Sequence, residues 1–350
     1  MAEKIPLVLN GGGVEQLQST DTLAVAANNI LINGGFDFFQ RQAPSILTSR
    51  ADDTYGPDRW VVLTQTASVQ TVQIGGTESP NAGQIKQNQA SAQRMGLAQI
   101  VEYSNSMPMR GRNIIFQGKL SCSSEQAIRY AVVEWTDTAD TVTSDIVDDW
   151  TDTTYESGSF FIAGLNIVAV GSVTPGAVGY TPFSITGSVS AACNNLIVFI
   201  WTEGTAAQDV TLNFSSVGLY PGTILQSWNP RPIGQEMQLC QRYYERSGSL
   251  VHAPGVGSQN YEFEIKTAAK FYTPILLWTV PKRTSSPTVT IYSVDTDTAG
   301  YFAEHGAGFA YIADRVAAVG ATSYLYAMLG SASMTPDNYV WFHFTSEAEL

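Results

Sequence analysis

The sequence predicts an all-β protein: two jelly-roll-like β-sandwich domains joined by a short α-helix, with an N-terminal attachment arm. Three observations carry this. Apolar and polar residues alternate at period two over many short stretches bounded by Gly, Pro, Asn and Asp, the pattern of strands and turns. Only 14% of the residues are charged, against about a quarter in an average soluble domain. The surface is therefore built from Ser, Thr, Asn, Gln and Gly, residues that short strands and tight turns use. Finally, a clear helical period occurs once, in 228–246.

Taken in order, residues 1–27 read as an arm. Ile5 to Leu9 can form one short strand, which Gly11, Gly12 and Gly13 break. The following VEQLQSTDTLAVAA is weakly amphipathic and too short to fold alone, so it is expected to order against a neighbour. The glycines lack the Gly-Lys-Ser/Thr that completes a phosphate loop.

Residues 28–228 form the larger domain, with strands expected at 97–103, 128–135, 195–201 and 210–215. Asn33 and Gly34, with Gly35, turn the chain into Phe36, Phe38 and Phe39, which are expected to plug the sandwich core. Asp58, Arg59 and Trp60 open the next strand, and an Asp58–Arg59 ion pair is expected to pin that loop to the core, with a glycan contact there as the lesser alternative.

Residues 229–248 form the joint. Pro230 and Pro232 bias the residues before them towards an extended backbone. Ile233, Met237, Cys240 and Tyr244 then fall on one helical stripe, and Ser247-Gly248 supplies a stop. Tyr243 and Tyr244 are expected to pack and orient the two domains. Residues 249–350 repeat the strand pattern, with strands at 287–293, 322–328 and 339–345. In the last, Val340, Phe342 and Phe344 take one face and Tyr339, Trp341 and His343 the other, so it is expected to be buried on both. No internal repeat points to a propeller or β-helix.

A net charge of −13 with 18 dispersed basic residues argues against nucleic acid and against an anionic membrane surface. No apolar stretch is long enough to insert into a membrane, and the run after Lys4 is too short for a secretion signal, so cytoplasmic synthesis is expected. Cys122, Cys193 and Cys240 show no metal spacing and read as buried thiols. His252, His305 and His343 form no zinc motif.

The acidic stretch 137–157 offers Asp145, Asp148, Asp149 and Asp152 to calcium, but no glycine or closing glutamate stands at ligand spacing. It reads as a solvated hairpin or insertion. Residues 295–300 open like a calcium loop with Asp295, Asp297 and Gly300, yet Gly306 stands where a bidentate glutamate is required, so a turn is expected. No metal, cofactor or catalytic residue is assigned, and no carboxylate pair stands out for glycoside hydrolysis. Sugar binding needs less: aromatic faces with amides or carboxylates nearby. Trp60 and Trp135 read as core, which leaves Trp150, Tyr155, Asp149 and Asp152 as the carbohydrate-binding candidates.

Four stretches, KIPLVLNGGGVEQLQSTDTL, NNILINGGFDFFQRQ with YGPDRW, WNPRPIGQEMQLCQRYYERS and FHFTSEAEL, together resemble tail-fibre and related virion-surface proteins of tailed bacteriophages. The second is similar to the start of a carbohydrate-binding-like jelly roll found in them. The resemblance implies a non-enzymatic virion structural protein, a tail fibre or receptor-binding protein that engages host cell-surface polysaccharide. It implies a homotrimer whose arm, 1–27, contacts other virion proteins, made in the host cytoplasm and displayed on the tail or head surface. A head fibre or capsid decoration (cement) protein is the close alternative. A polysaccharide depolymerase is the second, and a secreted bacterial carbohydrate-binding module the third.

Overall fold

The structure, a computed structural model, describes residues 7–10, 13–16, 28–176, 179–254, 261–264, 271–272, 276–294, 298–304, 309–312, 315–317, 324–329 and 337–350. Of the arm, β1 (Leu7–Asn10) and β2 (Gly13–Gln16) pair as an antiparallel hairpin, where the sequence suggested a single strand. The rest of 1–27, His305, and the turn proposed at Asp295 and Asp297 lie outside the described residues.

Twelve strands form the larger domain: β3 (Thr48–Arg50), β4 (Thr54–Tyr55), β5 (Val61–Thr64), β6 (Val69–Gly75), β7 (Asn81–Lys86) and β8 (Met95–Val101), then β9 (Asn113–Cys122), β10 (Ile128–Trp135), β11 (Leu165–Val173), β12 (Thr181–Ser188), β13 (Asn195–Thr202) and β14 (Thr211–Pro221). A short helix, α1 (Tyr103–Ser106), turns β8 towards β9. The strands make two six-stranded sheets, ordered β11-β10-β13-β8-β5-β4 and β12-β9-β14-β7-β6-β3, with every pairing antiparallel. Because the chain passes repeatedly from one sheet to the other, the layers close as a sandwich of jelly-roll type.

Side-chain alternation explains the layering. Along β13, Leu196, Val198 and Ile200 face the second sheet and share the main core with Phe36, Trp60, Phe116 and Phe214. Ile197, Phe199 and Trp201 point the other way into a second core. The uninterrupted apolar run at 196–201 thus marks a strand covered on both faces. Its outer cover is the β10–β11 connection, 136–164, which contributes Val142, Ile146, Val147, Phe160 and Phe161.

The joint helix α2 (Ile233–Gln241) leads into β15 (Tyr244–Arg246). The C-terminal region continues with β16 (Tyr261–Glu264), β17 (Phe271–Tyr272), β18 (Leu276–Leu277), β19 (Thr288–Ser293), β20 (Tyr301–Glu304), β21 (Phe309–Ile312), β22 (Arg315–Ala317), β23 (Tyr324–Leu329) and β24 (Tyr339–Glu347). β24 is the hub: β15, β16, β19 and β20 all pair with it, and Val340, Phe342, His343 and Phe344 are buried along it. A second sheet gathers β17, β18 and β22 around β23.

Two sequence expectations change here. Phe36 and Phe39 enter the sandwich core, but Phe38 is half-buried and packs with Ile32, Cys240, Tyr243 and Leu239 against the joint. Nor do the glycines of NGGF adopt the left-handed backbone: Asn33 (φ 57°) and Phe36 (φ 57°) do. Gly34 is required for close approach instead, since a Cβ there would stand 2.0 Å from the Val217 carbonyl oxygen.

Candidate functional site

The 148–155 loop, which holds the aromatic candidates, faces inward with its rings and outward with its acids. Trp150 meets Phe160 and Phe199 edge-on at 6.0 and 5.9 Å, and Tyr155 meets Phe160 and Trp201 edge-on at 5.2 and 5.7 Å. Both are half-buried, and the Arg129 guanidinium lies 4.6 Å over the Tyr155 ring. Phe199 stacks on Trp201 at 4.6 Å beneath them. Asp149 accepts from the amide and hydroxyl of its own neighbour Thr151, and Asp152 from the Thr154 amide, which are local turn contacts. The two hydrogen bonds from Thr151 hold the exposed Asp149 carboxyl below the usual range. Among the described residues, no three of His, Cys, Asp and Glu gather as a metal-ligand set.

The structural-motif residues converge elsewhere, on the joint. Asn33 accepts the Phe38 amide at 3.1 Å on its side-chain oxygen and donates to the carbonyls of Phe38 (2.8 Å) and Asp58 (3.0 Å). Its backbone amide donates to Glu236 on α2, and its carbonyl accepts the Trp60 indole N–H at 3.1 Å. The loop carrying Asp58, Arg59 and Trp60 is thereby tied to both the sandwich and the helix.

Asp58 and Arg59 do not pair with each other. Asp58 accepts the backbone and side-chain amides of Gln40 at 2.8 and 2.6 Å, with Arg41 at 4.0 Å. Arg59, held at φ 70°, aims its guanidinium at Glu349 near the C-terminus, donates to the Ile100 carbonyl at 2.6 Å, and lies 3.6 Å over the Tyr243 ring. Adjacent residues in such a turn project in different directions, which separates their partners. Arg41 shares Glu349 at 3.0 Å and covers the Tyr244 ring at 3.9 Å. Burial opposes both guanidinium charges, yet the facing carboxylates outweigh it and raise both pKa values. Burial pushes the Asp58 carboxyl up against the pull of Arg41 and Gln40.

Further contacts join the same centre to the C-terminal strands. Tyr243 donates its hydroxyl to Glu102 at 2.7 Å, and Arg242 grips the same carboxylate through two N–H groups. Burial pushes Glu102 up, but these hydrogen bonds and the neighbouring charges prevail and lower it. The Ala348 amide donates to the Tyr243 carbonyl at 2.7 Å, and Arg283 donates to the carbonyls of Ala348 and Glu349 at 2.8 and 2.6 Å. Lys282, fully buried, pairs with Glu245 and donates to the Gln241 carbonyl at 2.6 Å. Leu350 packs on the second core of the sandwich.

The helix meets this centre on an unexpected face. Ile233 is 61% exposed, whereas Glu236 and Cys240 are buried, and Tyr244 belongs to β15 rather than to the helical stripe. Glu236 is compensated by Arg231 at 2.9 Å and by the Asn33 amide, so its charge is tolerated inside. Pro232 serves as the N-cap with an extended backbone (φ −50°, ψ 132°). Arg231 fixes the arm to the sandwich by donating to the carbonyls of Leu31 and Asn29.

Cys122, Cys193 and Cys240 are all buried and free. Burial first, then Glu134, pushes Cys193 up to about 12, and burial raises Cys240 well above the ordinary thiol range. An aromatic disulfide reagent should therefore find no reactive thiol in the native protein and three after unfolding in guanidinium. Any thiol that titrates at once under native conditions contradicts this burial.

Alongside the joint lies a groove of about 500 Å3. One wall is the proline arm with Gln235 and Leu239 of α2. The other runs from Asn28 to Ile32 and through Asn105, Pro108 and Met109.

No family model matches the sequence, and no curated protein does. Solved structures with a similar arrangement include the enzymatically active domain of tailspike protein 4 from bacteriophage CBA120, at 7% identity and TM-score 0.34, covering 55% of this chain and 21% of that one. TmCBM61, solved with β-1,4-galactotriose, is similar at 12% identity and TM-score 0.33, covering 56% of this chain and all of the module. The CBM22-1 xylan-binding domain of Paenibacillus barcinonensis Xyn10C is similar at 10% identity and TM-score 0.31, covering 58% of this chain and all of the module. At these identities and TM-scores the matches assign this chain no role.

Proposed function

We propose that this chain is a non-enzymatic bacteriophage virion structural protein, a tail fibre or receptor-binding protein that engages host surface polysaccharide. One observation supports the reading above others. Residues from three stretches that resemble tail-fibre proteins, 28–42 with 55–60, 228–247 and 342–350, meet at one place, the buried charged joint between the two β regions. A protein that projects from a particle and transmits contact with a host needs its modules held in a fixed orientation, and a joint stitched by buried ion pairs meets that need. The β1–β2 hairpin belongs to the arm that would contact other virion proteins, and the assembled fibre would be a homotrimer.

Antibodies against the purified chain, applied to intact particles and imaged, are expected to mark the tail. Decoration of the capsid alone would overturn the tail-fibre reading in favour of a head fibre or decoration protein. Release of reducing ends from host capsule or lipopolysaccharide by the purified chain would overturn the non-enzymatic part.

A further inference from the structure

The groove beside the joint carries chemistry that the ion pairs do not use. Its rim presents four carboxamides, Asn28, Asn105, Asn229 and Gln235, all exposed. Among the described residues none of these side-chain amides makes a hydrogen bond to the protein, unlike Asn29, which is committed to Val217, Leu31 and Leu219. The floor is apolar: Ile32 and Met109 are 6% and 7% exposed, with Leu239 beside them. The one charged group in the lining, Arg231, is spent on Glu236 and on the carbonyls of Leu31 and Asn29.

We infer that this groove binds a short neutral saccharide. Each carboxamide offers both a donor and an acceptor, which matches hydroxyl groups that do the same. With no free formal charge in the lining, the groove gains nothing from an anionic or cationic ligand. The apolar floor suits the C–H face of a sugar ring. An extended peptide fits less well, because strand addition needs backbone donors and the arm contributes Pro230 and Pro232, which have none. The cavity falls within the roughly 300–1,000 Å3 of small-molecule sites. This site is separate from the Trp150 loop, whose rings are engaged against the second core.

The inference rests on the attachment reading for its ligand class, and its test is independent of particle labelling. The intact chain is applied to an array of neutral and anionic oligosaccharides, with peptides of mixed sequence as a second panel. Retention of neutral glycans, unchanged between low and high salt, is expected. The Asn105→Asp/Gln235→Glu double variant keeps side-chain volume but adds charge to two exposed positions, and should weaken binding by about tenfold or more. A native melting profile confirms that it is folded, and Asn229→Ala provides a second, smaller loss. Retention of anionic glycans alone, preference for peptides, no retention at all, or binding unchanged in both variants would each overturn the site. A tail-labelled particle with no glycan retained would leave the attachment reading standing and remove only the groove.

Discussion

Replacing Glu349 by glutamine is expected to destabilise the protein by about 3–5 kcal/mol, the cost of breaking a buried ion pair from one side. Glu349 is 6% exposed at its side chain and faces two buried guanidinium groups, Arg59 at 2% and Arg41 at 8%. Without the carboxylate, both arginines keep their charge in a place that water does not reach, and neither can be neutralised at ordinary pH. Asp58 lies 4.0 Å from Arg41 and is occupied by Gln40, and Glu347, 3.3 Å from Arg41, is 48% exposed, so neither replaces the lost partner. Removing both sides should cost less than removing one. Arg59→Met combined with Glu349→Gln is expected to recover part of the loss in urea unfolding, a coupling that separates the ion pair from mere packing. Equal stability of the single variant and the native chain would contradict the role given to this pair.

The second large effect is expected at Phe160, which is fully buried and stacks on Trp201 at 5.1 Å and Phe199 at 6.5 Å. Phe160→Ala should cost about 3–5 kcal/mol through lost transfer energy and the cavity left behind. The loss is local in origin. The main core between the sheets contains no residue of the 136–164 connection, so the sandwich should keep its strands while the cover loosens. The expected signature is a red shift of tryptophan emission, because Trp150 and Trp201 gain water, together with new protease cleavage within 137–160. Far-UV circular dichroism should change little. Cleavage elsewhere, with this stretch still protected, would show that the cover is held by other contacts.

These two sites divide what the sequence revealed from what it concealed. Strands are legible because alternation at period two and unbroken apolar runs are local properties, and together they locate β8, β10, β13, β14, β19 and β24. The joint was half legible. Asn33, Asp58, Arg59, Trp60, Tyr243 and Tyr244 stood out by type and setting, but their partners lie far along the chain: Glu349 is 290 residues from Arg59, Glu102 is 141 from Tyr243 and Glu236 is 203 from Asn33. No local pattern encodes such pairings. Reading an Asp58–Arg59 pair from adjacency therefore missed both real partners. Helical period places Ile233 inside and Glu236 out, whereas Glu236 is buried, with Arg231 compensating its charge, and Ile233 is exposed.

The cover over the second core has an indirect signal in the sequence. Six apolar residues in succession at 196–201 require burial on both faces of a strand, and hence something to lie over the outer one. The acids of 137–157 drew attention to solvent, while Val142, Ile146 and Val147 in the same stretch were its anchors. Ring type alone offers Trp150 and Tyr155 as sugar-stacking faces, and the fold turns both towards Phe160. The open groove with its free carboxamides carries no sequence signature at all, because Asn28, Asn105, Asn229 and Gln235 come from three separate segments.

The central claim is that buried charges at the joint hold the two β regions in one orientation. Small-angle scattering of the Glu349→Gln variant against the native chain tests it most directly. The account predicts a larger radius of gyration and a broadened long-distance tail in the variant, with β-sheet circular dichroism retained. Superimposable scattering from two folded proteins would contradict it, and would reduce 229–248 to a tether between modules that orient each other by other means.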